Sequence, residues 1–85
     1  MSLEEKFNIK NSELQNKIKV EIEKVKEGQS KRNMVQLQTI LMELQDSSRQ
    51  RNVILSYPRF IIDSWDYSDQ LGVELVELAE LYKKV

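Results

Sequence analysis

Three aspartates at intervals of three, Asp63, Asp66 and Asp69, form the densest group of chemistry-bearing side chains in this sequence. Carboxylates so close together suit a hard cation or an acid–base pair. A calcium loop, however, alternates its oxygen ligands and needs a glycine at the sharp turn, and no D-x-D-x-D-G run occurs. Histidine and cysteine are absent, which removes the commonest zinc ligands and the usual proton carrier near neutral pH. No glycine loop that would cradle a phosphate accompanies the aspartates, nor does a nucleophile paired with a base. Helix capping, with an Arg59–Asp63 pair at i,i+4, accounts for all three more simply. The expectation is a protein that is not an enzyme and holds no metal or other cofactor.

Lys31, Arg32, Arg49, Arg51 and Arg59 are the candidates for a basic patch. A nucleic-acid footprint wants such residues on one face. If the second helix is continuous, Lys31 and Arg32 lie at one end of it and Arg49 and Arg51 near the other, and the sequence pI is about 5.5. Nucleic acid is therefore not the expected partner. The net charge of −1 hides a gradient: +2 over residues 1–32, +1 over 33–60 and −4 over 61–85. Its simplest use is internal, with the acidic C-terminal part lying beside the basic centre.

Aromatic side chains carry the strongest signal. Residues 53–70 hold the one proline, the one tryptophan and four of the six aromatics. Large apolar area on few rotatable bonds suits both cores and binding hot spots. On a helix, Tyr57, Phe60, Ser64 and Tyr67 fall in one sector, and Ile54, Ile61 and Trp65 in another. Core packing is the first expectation for this cluster. The sharper one is that Trp65 and Tyr67 protrude as anchors. The partner-contact set this gives is Tyr57, Arg59, Phe60, Trp65, Tyr67 and Asp69.

The elements that must position these residues are helices. With 85 residues, one proline and two glycines, the chain has little punctuation for strands, and it reads as a single all-α domain over 1–85. A first helix over 2–27 places Leu3, Phe7, Leu14, Ile18, Ile22 and Val25 on one stripe. Asn11 interrupts that stripe. Ser12-x-x-Gln15 matches a capping box, so a fresh helix starting at Ser12 is expected. The alternative is a polar core residue that fixes register. Gly28-Gln29-Ser30 then turns the chain into an antiparallel hairpin, with Gly28 just past the helix end and Ser30 as the next cap.

From Lys31 a second helix places Met34, Leu37, Ile40, Leu41 and Leu44 on one side and Val35, Met42 and Val53 on another. Apolar over more than half its circumference, it is expected to be central. Asp46-Ser47-Ser48 is a possible stop, but matched helix lengths favour an unbroken run to about Leu55. Pro58 suits the first turn of a third helix capped by Ser56 or Tyr57. That helix is expected to break near 66–69, where Asp66, Ser68 and Asp69 resemble a start. Beyond it, Leu71, Leu75, Leu78, Tyr82 and Val85 form a stripe flanked by Ala79 and Leu81. Gly72 suggests a close helix crossing. A three-helix bundle, or a helical hairpin plus a C-terminal helix, is the expected architecture.

Function follows from apolar surplus. Ile9, Val20, Val73 and Val76 fall outside the stripes a three-helix core would bury. Grouped, they would make a docking surface. The leading expectation is a helical protein–protein interaction module, either a homodimer formed through the first or last helix or a small adaptor. One alternative is a small nucleic-acid-binding regulator. Another is an acidic immunity- or antitoxin-like inhibitor, meeting an enzyme's basic site through Asp63, Asp66, Asp69 and Glu74. No apolar run approaches the roughly 20 residues that cross a bilayer, and the first residues do not resemble a secretory signal, so a cytoplasmic protein with no membrane contact is expected.

Overall fold

The computed structural model describes residues 2–85, which form four helices: α1 (Leu3–Lys26), α2 (Met34–Arg49), α3 (Tyr57–Ser64) and α4 (Gln70–Tyr82). No strand occurs among the described residues. At about 1.5 Å per residue, α1 is roughly 36 Å long and runs nearly the whole 39 Å length of the molecule. It packs on both α2 and α4, while α3 bridges α2 and α4. One core joins Phe7, Leu14, Ile18, Leu37, Ile40, Leu44, Tyr57, Ile61, Leu75 and Leu78.

Ser2 caps α1, its hydroxyl accepting from the Glu5 N–H and donating to the Glu5 carboxylate. Both bonds lie within Ser2-x-x-Glu5, a sequence match to the capping box. The expected break at Ser12 does not occur. Ser12 is an exposed position in an unbroken helix, and Asn11 is a fully buried core residue. Its amide donates to the Leu44 carbonyl (3.0 Å) and to Ser47 Oγ (3.2 Å), and its oxygen accepts from Gln15 (2.6 Å). Those partners on α2 make a polar side chain tolerable in the stripe.

Gly28 ends α1 as expected. Its φ of +75° is in the left-handed region that glycine enters without strain. The Gln29 N–H reaches the Lys24 carbonyl and the Gly28 N–H reaches that of Val25, which is a Schellman closure. The hairpin is antiparallel: Glu4 pairs with Arg51, Asn11 with Leu44 and Ser47, and Glu21 with Arg32. Its turn is longer than three residues, because Asn33, not Ser30, caps α2. The Ser30 hydroxyl instead accepts from the Arg32 N–H inside the turn.

α2 stops at Arg49, and the expected run to Leu55 does not form. Two side chains replace the missing helical bonds. The Tyr82 hydroxyl donates to the Gln50 carbonyl and accepts from the Val53 N–H, and Arg51 donates to the Ser47 carbonyl. The expectation of a central second helix also fails. Val35 and Met42 face solvent, and α1 has the central position between α2 and α4.

Pro58 lies in the first turn of α3, but Ser56 makes no side-chain cap. Glu43 on α2 supplies the cap from a distance, accepting from the N–H groups of Ser56 and Tyr57 and from the Ser56 hydroxyl. Negative charge at a helix N-terminus is favourable on both dipole and hydrogen-bonding grounds. Tyr57 and Ile61, one from each of the two sectors expected over 53–67, are the buried positions of α3, but the helix is too short to include Ile54, Trp65 or Tyr67. Ile54 lies outside the helix and is exposed. The break before α4 occurs where expected, with Asp69 capping through the Leu71 N–H. Gly72 marks a close approach. A Cβ there would lie 3.2 Å from the Trp65 ring and 3.3 Å from Ile61.

Candidate functional site

Trp65 follows the last turn of α3 in extended conformation and stands between two clefts. Its indole N–H donates to Gln36 on α2 at 2.9 Å, and the Arg32 guanidinium lies 4.7 Å from the ring centroid. That distance suits a cation–π contact. Arg32 also holds Asp69 through two bonds, at 2.6 and 3.2 Å, and Glu21 at 2.7 Å. One side chain thus ties α1, the cap of α4 and the end of α3 to the turn before α2.

The cleft on this side, about 600 Å³, is polar. Most of its polar groups, Lys31 and Ser64 aside, already have partners: Asn33 caps α2, Gln36 holds Trp65, and Asp66 accepts from the Ser68 N–H and hydroxyl. Asp66 and Asp69 both line this cleft, but among the described residues no group of three carboxylates is gathered as a metal site. The Arg59–Asp63 ion pair expected from the sequence does not form, and Asp69 pairs with Arg32 instead. Glu74 similarly joins α4 to Lys17 (2.9 Å) and Lys10 (3.5 Å) on α1. The acidic C-terminal part therefore pairs with Lys10, Lys17 and Arg32 of residues 1–32, and not with the basic centre expected from the sequence, where Arg51 pairs with Glu4.

These contacts hold carboxylates in their charged form. Hydrogen bonds from Arg32 push Asp69 below the usual aspartate range, and those from Lys17 do the same for Glu74. Burial works to raise Glu21, but bonds from Arg32 and Lys24 overcome it and the net direction is down. A carboxylate lowered in the folded state contributes stability that is complete above its unfolded value and lost as pH falls through its folded value. Melting temperature is thus expected to drop below about pH 4. Arg32→Met, which keeps the stem over Trp65 but removes the charge, is expected to flatten that drop. Circular-dichroism melts between neutral and acidic pH test this, and equal slopes in both proteins would refute it.

On the other face of Trp65 lies an apolar groove of about 270 Å³ between α3 and α4. Ile61, Ile62, Trp65, Tyr67, Val73 and Val76 line it, with Gly72 letting the two segments approach. Tyr67 is 94% exposed and Ile62 69% exposed, while Val73 is 39% exposed. Asp66 and Glu77 are the charged residues of its lining.

The sequence-predicted contact set divides sharply. Tyr57 is fully buried, its hydroxyl donating to the Leu75 carbonyl at 2.8 Å, so it is core and not surface. Phe60 and Trp65 are half-buried against the same core. Asp69 is committed to Arg32 and to its cap. Arg59 is exposed and lines a different cleft, beyond Pro58. Of the six, only Trp65 and Tyr67 border the groove. Ile62 was not singled out by sequence, whereas Val73 and Val76 stood out as apolar residues off the stripe. No protein-family model matches the chain, and neither a curated protein nor a solved structure resembles it significantly.

Proposed function

We propose that this chain is a non-catalytic helical interaction module whose contact surface is the groove between α3 and α4. The observation that carries the proposal is the grouping of Ile62, Tyr67 and Val73, exposed apolar residues that converge on one groove beside the half-buried Trp65. Scattered apolar residues on a surface need no explanation, but a contiguous set does. Tyrosine and tryptophan are also the side chains that most often dominate binding energy.

A non-catalytic role is supported by the polar cleft on the opposite face of Trp65, where Arg32, Gln36 and Asp69 are spent on one another and on the helix ends. A nucleic-acid role is disfavoured because Arg32 and Arg51 are each paired with a carboxylate. No helix among the described residues is long and apolar enough to cross a membrane.

Trp65 is the sole tryptophan, so its emission reports directly on the groove. Amphipathic helical peptides that lack tryptophan are expected to shift that emission to shorter wavelength. Ile62→Ser combined with Tyr67→Ser is expected to abolish the shift without unfolding the domain, since both side chains are mostly exposed. If no such peptide moves the emission, the groove is not a docking surface.

A further inference from the structure

We infer that the element docking in the α3–α4 groove is a basic amphipathic helix of a protein partner, with lysine or arginine flanking aliphatic anchors. This inference rests on the interaction-module function proposed above and adds the chemistry of the partner.

The selecting feature is an imbalance of charge around an apolar slot. Asp66 and Glu77 line the groove, and neither has an ion-pair partner among the described residues. Three of the other four acids of the C-terminal part are neutralised: Asp69 by Arg32, Glu74 by Lys10 and Lys17, and Glu80 by Lys83. Asp63 has no such pair among the described residues and does not line the groove. Basic residues are kept off this surface. Lys31 and Arg32 line the cleft on the far side of Trp65, which Asp66 also borders without pairing with either, and Arg59 and Lys83 line the one beyond Pro58. The result is apolar walls with uncompensated negative charge at the edge, inside a segment of net charge −4.

An apolar slot lined on two sides by helices accepts the aliphatic face of a third, anchored through positions one turn apart. The free carboxylates then decide which helix enters. They attract lysine and arginine beside the anchors and repel acidic helices. The charge at Asp66 is held in place, because the Ser68 N–H and hydroxyl both stabilise its carboxylate and keep it below the usual aspartate range. A second copy of this chain is a poorer occupant, since its matching groove would bring like charges together.

The test uses the intact chain and three designed helical peptides: leucine/lysine, leucine/glutamine and leucine/glutamate. Trp65 emission is followed at low and at physiological salt. The leucine/lysine peptide is expected to bind at least about tenfold more tightly than the leucine/glutamate one. Asp66→Asn with Glu77→Gln is expected to remove most of that preference, and asparagine at 66 keeps an oxygen for Ser68. Glu27→Gln with Asp46→Asn, a control pair also outside any ion pair, changes the net charge equally and is expected to leave the preference intact.

Equal binding of all three peptides would overturn the charge selection while leaving the groove a docking site. So would an equal effect of the control pair. A concentration-dependent shift without peptide, absent in the Ile62→Ser/Tyr67→Ser protein, would replace the basic helix with a second copy. Failure of every peptide to move the emission would overturn both proposals.

Discussion

Tyr57→Ala is expected to destabilise the domain by about 3–5 kcal/mol, the range for removing a large buried aromatic ring. A chain of this length has roughly 4–13 kcal/mol of total stability, so the substitution should leave a protein unfolded in part at moderate temperature. The size of the effect follows from where Tyr57 is placed. Its ring is fully buried, its N–H is capped by Glu43, and its hydroxyl reaches Leu75 on α4. α3 contributes one other buried residue, Ile61. Losing Tyr57 therefore releases the short helix that forms one wall of the groove. Tyr57→Phe retains the ring and should cost only about 1 kcal/mol, the usual worth of one hydrogen bond. Urea denaturation of both variants gives the comparison. If alanine costs no more than phenylalanine, α3 is not held by this ring.

The same residue predicts an alkaline signature. Burial, followed by the nearby Glu43 carboxylate, pushes the Tyr57 hydroxyl well above the ordinary tyrosine range. Its contribution is complete below about pH 10, where an unfolded tyrosine ionises, and declines as pH rises beyond that. Tyr57→Phe should accordingly show a shallower loss of stability above pH 10 than the parent.

The second large effect is expected at Asn11. Asn11→Ala removes the donor to Leu44 and Ser47, strands the Gln15 amide, and opens space between α1 and α2, for a cost of about 2–3 kcal/mol. Asn11→Leu restores the volume, and the Ser47 hydroxyl still has the Leu44 carbonyl to bond. Replacing a buried polar group by a well-packed apolar one is often neutral in stability. What leucine cannot restore is the hydrogen bonding that selects one axial alignment of the two helices. Asn11→Leu is thus expected to melt near the parent temperature yet show broadened amide resonances along α1 and α2. An alanine penalty no larger than that of exposed Asn8→Ala would show that the Asn11 bonds contribute nothing.

Asn11 also shows what a pattern of residue types leaves open. A polar residue in an apolar stripe has two sequence-level explanations, a helix boundary or a buried hydrogen bond. The partners that decide between them are 33 and 36 residues away, on a helix whose register no local rule specifies. The cap of α3 was hidden for the same reason. Ser56 is the residue type that caps, but Glu43 makes the bonds, because folding brings α2 across the start of α3. The end of α2 was one of two options in the sequence, with Asp46-Ser47-Ser48 as a stop, and the hydroxyl of Tyr82 that holds the chain there lies 32 residues from Gln50.

What the sequence determined by itself was local. Helical class, the Gly28 turn, the entry of α3 at Pro58, the start of α4 at Asp69 and most of the buried stripe follow from backbone geometry and from the 3.6-residue period. Both act within a few residues. Tertiary structure alone decided which aromatic is core and which is surface. Tyr57 and Tyr67 are ten residues apart, and in sequence each is an aromatic in the same cluster. Packing of α4 against α3 covers the first and leaves the second beside the groove. Burial depends on which elements meet, and that is settled by long-range contacts that residue spacing does not encode.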